Sequence, residues 1–323
     1  MSTPAYSNLL KIIKKSYSIL NHEDSNFGRN WKMFPMKDYA NTLIYNALID
    51  DKPLMITRFG STELTCLSNY IGVKDVNKYK NYKSFIQSKT PPWWWELKII
   101  EQMQNWSGFF PTKIDKIEQF CELMLEDMKN VDILGSWLKE ECFFQESLVN
   151  SNFVMLEDLE PFFSTTPWTK ALKNKRVLVV HPFAETIEEQ YQFREHLFDN
   201  ELLPQFDLLT IKAVQSIAKE KTQFNDWFEA LDSMKNEISN KEFDICILGC
   251  GAYGFPLASY VKSIGKKAIH LGGATQLLFG IKGKRWENYL VYPYRNLYND
   301  YWVRPKETDK PKMANIVEGA CYW

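Results

Sequence analysis

Long apolar segments are missing from this chain of 323 residues. No run reaches the roughly 18 to 20 apolar residues that a membrane-spanning helix needs. The start of the chain also lacks the apolar core and cleavage site of a secretory leader. We therefore expect a protein that is not transmembrane. Residues 9–20, LLKIIKKSYSIL, are mildly amphipathic and basic, a pattern that favours a helix packed on the protein over one resting on a membrane.

A large excess of charge of either sign is missing as well. The chain has 39 basic and 40 acidic side chains, and its formal net charge is −1. Proteins that attract nucleic acid or anionic membranes through their overall field carry a clear positive excess. The composition therefore predicts no general attraction to either, and no nucleic-acid partner.

Several motifs that would define an enzyme class are also missing. The six cysteines form no C-x-x-C pair, and a chain of this length can fold without disulfide bonds, so we expect free thiols and a cytoplasmic location. The sequence contains no Walker loop, G-x-S-x-G elbow, HExxH motif or EF-hand loop. The enzyme classes that depend on those motifs are therefore disfavoured.

Short apolar runs rich in β-branched residues are what the sequence does contain. They end in Gly, Pro or Ser, which is typical of strands in a parallel sheet, and they lie at 53–60, 131–136, 176–182, 206–216, 244–251 and 266–273. Helical patterns separate several of them, for example at 187–198 and 224–238. This alternation predicts a Rossmann-like α/β fold with a mostly parallel sheet and helices on both faces.

The same pattern predicts a single domain over residues 1–323. The chain contains no repeat and no Gly/Ser linker, and a possible boundary near 157–173 has no flexible composition. We expect an N-terminal helical segment at 1–50 and an irregular, aromatic C-terminal wrap at 282–323.

A glycine motif follows the strand at 244–251. Gly249, Gly251 and Gly254 have the spacing G-x-G-x-x-G between a strand and a helical run, as in dinucleotide-binding turns. The acidic residue that binds the adenosine ribose should follow about 20 residues later, but that place holds His270. The motif therefore favours another phosphate ligand over NAD or FAD, and a purely structural tight turn is the alternative.

A second glycine-rich segment, residues 270–286, ends in a basic group. Close backbone amides and fixed positive charge suit a diphosphate, although a solvated basic loop is the simpler alternative. The residues that we expect to contact the phosphate-bearing ligand are Gly249, Gly251, Tyr253, Gly254, His270, Gly272, Gly273, Thr275, Gln276, Lys282, Lys284 and Arg285.

Three further candidates come from the ends of other strands. Arg58 ends the first strand, and Glu63 follows in the first turn of a helix that Ser61 can cap. His181 ends the strand at 176–182, where a satisfied, half-buried histidine is the alternative to a functional one. Because parallel strands deliver their carboxyl ends to one edge of a sheet, we predict that Glu63 and the turn at 249–254 face a common crevice.

Four stretches together resemble a known family: RFGSTEL, VLVVHPF, residues 248–286, and the ending NDYWVRP…VEGACYW. They resemble a bacterial family that is found in surface-polysaccharide gene clusters and is similar to glycosyltransferases of the GT-D fold. The resemblance runs from about Leu54 to Trp323. It implies a Rossmann-like domain that uses a nucleotide-diphosphate sugar, with Mn²⁺ or Mg²⁺ held by a D-x-E motif after the first strand. That motif falls on Ser61-Thr62-Glu63, so a serine replaces the first acid.

The resemblance implies a glycosyltransferase of cell-surface polysaccharide biosynthesis, transferring a hexosyl or related group to a glycan acceptor. Glu63 is then the candidate metal ligand or catalytic base, with Arg58 and His181 in the same crevice, and His181 or His270 is the alternative acid–base group. The basic group at 282–285 would stabilise the leaving nucleotide. Because a serine hydroxyl is a poor metal ligand, Arg58 and the basic group could neutralise the diphosphate instead of a metal.

Two other functions stay open at this point. The glycine motif allows a nucleotide-cofactor oxidoreductase that uses NAD or FAD. The replacement of an acid by Ser61 allows a non-catalytic binding or assembly protein of the polysaccharide machinery.

Overall fold

Seven parallel strands form one sheet in the computed structural model, which describes residues 4–21, 34, 36–287, 289, 293–317 and 319–323. The strands are β1 (Leu54–Arg58), β2 (Ile133–Ser136), β3 (Asn152–Met155), β4 (Arg176–His181), β5 (Asp207–Lys212), β6 (Ile245–Leu248) and β7 (Lys267–His270). Their order across the sheet is β3-β2-β1-β7-β6-β4-β5, and every neighbouring pair is parallel. The glycine-bearing unit β6–β7 therefore lies at the centre of the sheet, beside β1.

Helices connect the strands and cover the sheet. Within the described residues they are α1 (Ser7–Leu20), α2 (Asp38–Ile49), α3 (Ser61–Lys74), α4 (Val76–Tyr79), α5 (Tyr82–Ile86), α6 (Leu97–Ser107), α7 (Ile114–Met128), α8 (Leu156–Leu159), α9 (Ala184–Tyr191), α10 (Arg194–Leu197), α11 (Trp227–Ser239), α12 (Gly254–Ser263), α13 (Thr275–Leu278) and α14 (Lys284–Glu287). The helical pattern at 224–238 is confirmed as α11, whereas the pattern at 187–198 divides into α9 and α10.

Both faces of the sheet are buried. Along β4, Val177 and Val179 belong to one apolar cluster, whereas Leu178 and Val180 belong to the other. Successive side chains of a strand point to opposite faces, so the two clusters are the two sides of the sheet. This arrangement explains why the strands are apolar throughout instead of alternating with polar residues.

The structure confirms the predicted α/β class, with a parallel sheet and a Rossmann-like arrangement. All six predicted strands are present. Strand β3 was not predicted, because this edge strand buries only Val154 and its sequence NFVM gives a weaker apolar signal than the equally short β2 and β6, whose residues are all buried.

The two terminal segments contribute to the fold in different ways. Of the N-terminal segment, residues 7–20 and 38–49 are helical, and residues 1–3, 22–33 and 35 lie outside the described part. Of the C-terminal segment, the described residues form only short helices and bury Trp286, Trp302 and Trp323 in one of the two sheet clusters, while residues 288, 290–292 and 318 lie outside the description. Among the described residues, no helix has both the length and the apolar character needed to cross a bilayer.

Candidate functional site

A cavity of about 550 Å³ opens at the carboxyl edge of the sheet. Its lining includes residues that end or follow four adjacent strands: Arg58 of β1, His270 of β7, Gly249 after β6 and His181 of β4. The volume is in the range of small-molecule sites, and this edge is where ligands of open α/β sheets bind.

The predicted common crevice is confirmed. Glu63, in the first turn of α3, and Gly249 and Gly251, in the turn after β6, line the same cavity. They meet because β7 pairs with β1 on one side and with β6 on the other, which brings the two turns to neighbouring positions at one edge. Residues separated by most of the chain therefore form one site.

Arg58 is the most conspicuous group of the cavity wall. Its guanidinium carbon lies 5.0 Å from the ring centroid of Trp137, and burial lowers the pKa of this arginine, which nevertheless stays charged. Its Nε atom is buried and has no hydrogen-bond partner among the described residues. Buried polar groups are normally paired, so this donor is an unsatisfied group within the cavity wall. Because the atom has no exposed surface, a ligand could reach it only if the Arg58 side chain moved.

Glu63 turns back towards the start of its own helix. A Cβ atom built on Gly60 would lie 1.9 Å from the Glu63 carboxylate, so the carboxylate occupies the space that glycine leaves. Burial raises the pKa of Glu63, whereas hydrogen bonds from its own backbone N–H and from Ser107, and the charge of Arg58, lower it. Ser61 does not cap α3 as expected, because the helix begins at Ser61 and Gly60 holds the cap position.

The two cavity histidines are neutral. Burial lowers the pKa of both His181 and His270 to about 3. The backbone N–H of Phe183 donates to Nδ1 of His181 at 3.0 Å, and Thr57 Oγ1 lies 3.0 Å from Nδ1 of His270. Such satisfied, buried imidazoles favour the structural alternative that the sequence left open for His181.

The glycine motif packs against these histidines. A Cβ atom on Gly249 would lie 2.6 Å from Cδ2 of His181, and one on Gly254 would lie 2.3 Å from Nε2 of His270. The space that two of the motif glycines provide is therefore filled by the protein itself. Gly251 differs, because its φ of 58° needs glycine and no side-chain atom lies within 4 Å of its Cβ position.

The basic group at 282–285 needs a correction. Only Arg285 lines the cavity, where its Nη1 donates to the Tyr322 hydroxyl at 3.0 Å. The Nζ atom of Lys282 lies over the ring of Tyr298, 5.7 Å from its centroid, and Lys284 is exposed. Adjacent residues of a helix point in different directions, so Lys284 at the start of α14 is exposed while Arg285 lines the cavity, and adjacency in sequence did not make one charged cluster.

Of the remaining residues predicted to contact the ligand, some line the cavity and others do not. Gly272, Gly273, Gln276 and Tyr253 line the cavity, whereas Gly254 and Thr275 do not. The amide of Gln276 donates to the backbone carbonyls of Ile281, Lys282 and Tyr322, and the hydroxyl of Tyr253 lies 3.1 Å from that of Ser216. Several of these side chains therefore hold the wall in place in addition to facing the cavity.

An acidic turn that sequence reasoning missed also faces the cavity. Glu157 and Glu160 follow β3, and burial raises the pKa of Glu160 to about 7, although the Tyr294 hydroxyl donates to its Oε2 at 2.6 Å. A strand at 152–155 would have placed EDLE, residues 157–160, at the carboxyl edge. The acidic residues at 157–160 are therefore recognisable as site candidates only if residues 152–155 are first identified as a strand.

A D-x-E metal site does not fit this arrangement. Ser61 offers a neutral hydroxyl, and the Glu63 carboxylate is held by Ser107 and its own backbone N–H, with Arg58 nearby. Among the described residues, no three His, Cys, Asp or Glu side chains come together in a way that could hold a metal ion. The donor set at Ser61-Thr62-Glu63 thus lacks the ligands that a divalent cation prefers.

The chain shows no match to protein-family models, to curated proteins or to solved structures. The resemblance to the surface-polysaccharide family therefore stays a prediction from the sequence.

Proposed function

We propose that this protein is a cytoplasmic glycosyltransferase that moves a sugar from a nucleotide-diphosphate donor to a glycan acceptor in the biosynthesis of a bacterial cell-surface polysaccharide. One observation supports this function most directly. The cavity brings Arg58 and Arg285 together with the titratable acid Glu160 at the carboxyl edge of a parallel sheet.

The two arginines suit the diphosphate. Both line the cavity, and the charge of Arg285 acts on Arg58, so two cations lie close together at this wall, with the charges of Glu63 and Glu160 also acting on Arg58. A guanidinium can offer two parallel hydrogen bonds to phosphate oxygens. When the bond between the anomeric carbon and the diphosphate oxygen breaks, these fixed charges stabilise the departing nucleoside diphosphate. They supply the positive charge that the poor metal site does not.

Glu160 suits the role of catalytic base. A carboxylate with a pKa of about 7 is deprotonated in half of the molecules at neutral pH and can still take up a proton. In the transfer, it removes the proton of the acceptor hydroxyl as that oxygen attacks the anomeric carbon. Glu63, the base expected from the sequence, is held by hydrogen bonds at the start of α3 and fits a role in positioning Arg58.

A thermal-shift screen tests the proposal. We expect a nucleotide sugar, or the matching nucleoside diphosphate, to raise the melting temperature, because a ligand of the native state stabilises it. The shift should be lost in Arg58→Ala and Arg285→Ala. It should persist in Lys284→Ala, the matched control that removes an exposed cation next to Arg285.

Other outcomes of the screen assign other functions. Stabilisation by NAD(H) or FAD, with no response to UDP-, GDP- or CDP-sugars, would replace the proposal by an oxidoreductase. Binding of a nucleotide sugar without transfer to any glycan acceptor would indicate a non-catalytic binding protein.

A further inference from the structure

Helix α1 presents an apolar face to solvent, the reverse of what is expected of a surface helix. Leu9, Ile12, Ile19 and Leu20 are 60%, 64%, 64% and 79% exposed. They recur at the spacing of one helical face, and Leu10 on the opposite face is buried. The exposed Ser16 lies between Ile12 and Ile19 on this face, but four large exposed apolar side chains on one side of a helix still mark an interaction surface.

The stripe belongs to a firmly docked helix. Leu10 joins Phe85, Trp93 and Trp94 in a small apolar cluster, and Nζ of Lys11 lies 2.5 Å from the Glu96 carboxylate. These contacts fix which side of α1 faces the protein. The outward direction of the apolar side chains is therefore a property of the fold.

The surface beside α1 is basic. Helix α1 contains three lysines and no acid, and the segment 74–89 contains five lysines and one acid, Asp75. The five, all exposed, are Lys74, Lys78, Lys80, Lys83 and Lys89.

Two contacts place this basic segment along α1. The ring of Tyr6 lies 6.2 Å from that of Tyr82, and the hydroxyl of Tyr17 accepts from the Gln87 amide at 3.5 Å. Of the nearby acids, Glu96 is paired with Lys11 and Glu122 with Lys74. The segment therefore keeps a local positive excess within a chain whose net charge is −1.

We propose that the apolar stripe of α1 and the adjoining lysines form a docking surface for an anionic lipid bilayer. The stripe enters the boundary between headgroups and acyl chains, and the lysines contact anionic headgroups while their stems lie along the apolar surface. A second copy of the chain fits less well, because a two-fold contact through α1 would bring one basic segment against the other. This inference goes beyond the proposed function and does not depend on it.

Vesicle flotation of the full chain tests the surface. We expect binding to phosphatidylcholine vesicles that contain phosphatidylglycerol, weaker binding at high salt, and little binding to phosphatidylcholine alone. The double variant Ile12→Glu, Ile19→Glu should reduce partitioning by at least about tenfold. Lys80→Glu together with Lys83→Glu should also reduce it by roughly tenfold or more.

The control is Val149→Glu, because Val149 is 74% exposed outside α1 and segment 74–89. It should float as the unchanged chain does, and melting curves should show that every variant folds. Absence of binding to the anionic vesicles, or equal binding by the α1 variant, would overturn the proposal. A dimer in light scattering that the α1 variant abolishes would assign the stripe to a second copy instead.

Discussion

Two turns border the same cavity, and a sequence motif marks only one of them. The turn after β6 carries the glycine motif, but the spaces beside Gly249 and Gly254 are filled by the rings of His181 and His270. The turn after β3 carries no recognised motif, yet it supplies Glu160, whose pKa burial raises to about 7. A recurrent spacing thus reports backbone geometry, whereas reactivity depends on burial and on partners distant in sequence.

Removing Glu160, the acid that follows β3, should have the largest effect on the rate of transfer. Glu160→Gln keeps the size of the side chain but abolishes proton uptake, so we expect transfer at pH 7 to fall by roughly 100- to 10,000-fold. Under the proposed function, transfer by the unchanged chain should become faster as pH rises through about 7, because Glu160 acts as the base when deprotonated. Initial rates across pH measure both effects.

The matched control is Glu237→Gln, on the exposed surface of α11, which should keep the rate and its pH dependence. A rate in Glu160→Gln close to that of the unchanged chain would mean that another group, such as Glu63, is the base.

Substitutions in the glycine motif after β6 should mainly lower the free energy of unfolding. A methyl group in Gly254→Ala would collide with the His270 ring, and overpacking of this kind costs about 1–3 kcal/mol of unfolding free energy. Urea denaturation measures the loss, and a double-mutant cycle with His270→Ala should show that removing the ring relieves part of it. Loss of nucleotide affinity in folded Gly254→Ala, without loss of stability, would instead mean that a ligand approaches this glycine.

Much of the fold followed from the sequence, whereas the site followed only in part. The strand runs and the rule that parallel strands share a carboxyl edge were enough to bring Glu63 to the turn after β6. Glu160 was missed because the edge strand β3 buries only one residue, Val154, and because the partner of Glu160, Tyr294, comes from a distant part of the chain. Lys284 does not line the cavity, because it lies on the exposed side of α14, and which side of that short helix faces the protein depends on tertiary packing.

The buried histidines beside the glycine motif should make the stability of the folded chain depend on pH, which is a smaller effect. Burial holds the pKa of His181 and His270 near 3, below the ordinary 6.5, so the folded state binds fewer protons than the unfolded state between these values. Stability should therefore fall as pH drops from 6.5 towards 3, by up to about 1.4 kcal/mol per pH unit for each histidine.

Urea unfolding at several pH values checks this dependence. The slope should be shallower in His270→Gln, which keeps a polar side chain but cannot titrate. An identical slope in this variant would mean that His270 does not contribute to the loss of stability at low pH.

The smallest effect is expected from the partner of Glu160. The Tyr294 hydroxyl donates to the Glu160 carboxylate and lowers its pKa, so Tyr294→Phe should raise that pKa and move the rising limb of the rate profile to higher pH. Rates measured well above that limb should change little. A shift to lower pH would contradict the assignment of the limb to Glu160.

A crystal structure with the nucleoside diphosphate found in the thermal-shift screen tests the central claim most directly. We predict that the phosphates lie within hydrogen-bond distance of the Arg58 and Arg285 guanidinium groups, and that Glu160 faces the space left for sugar and acceptor. Phosphates bound outside this cavity, or held on the amides of Gly249 and Gly254 away from both arginines, would contradict it.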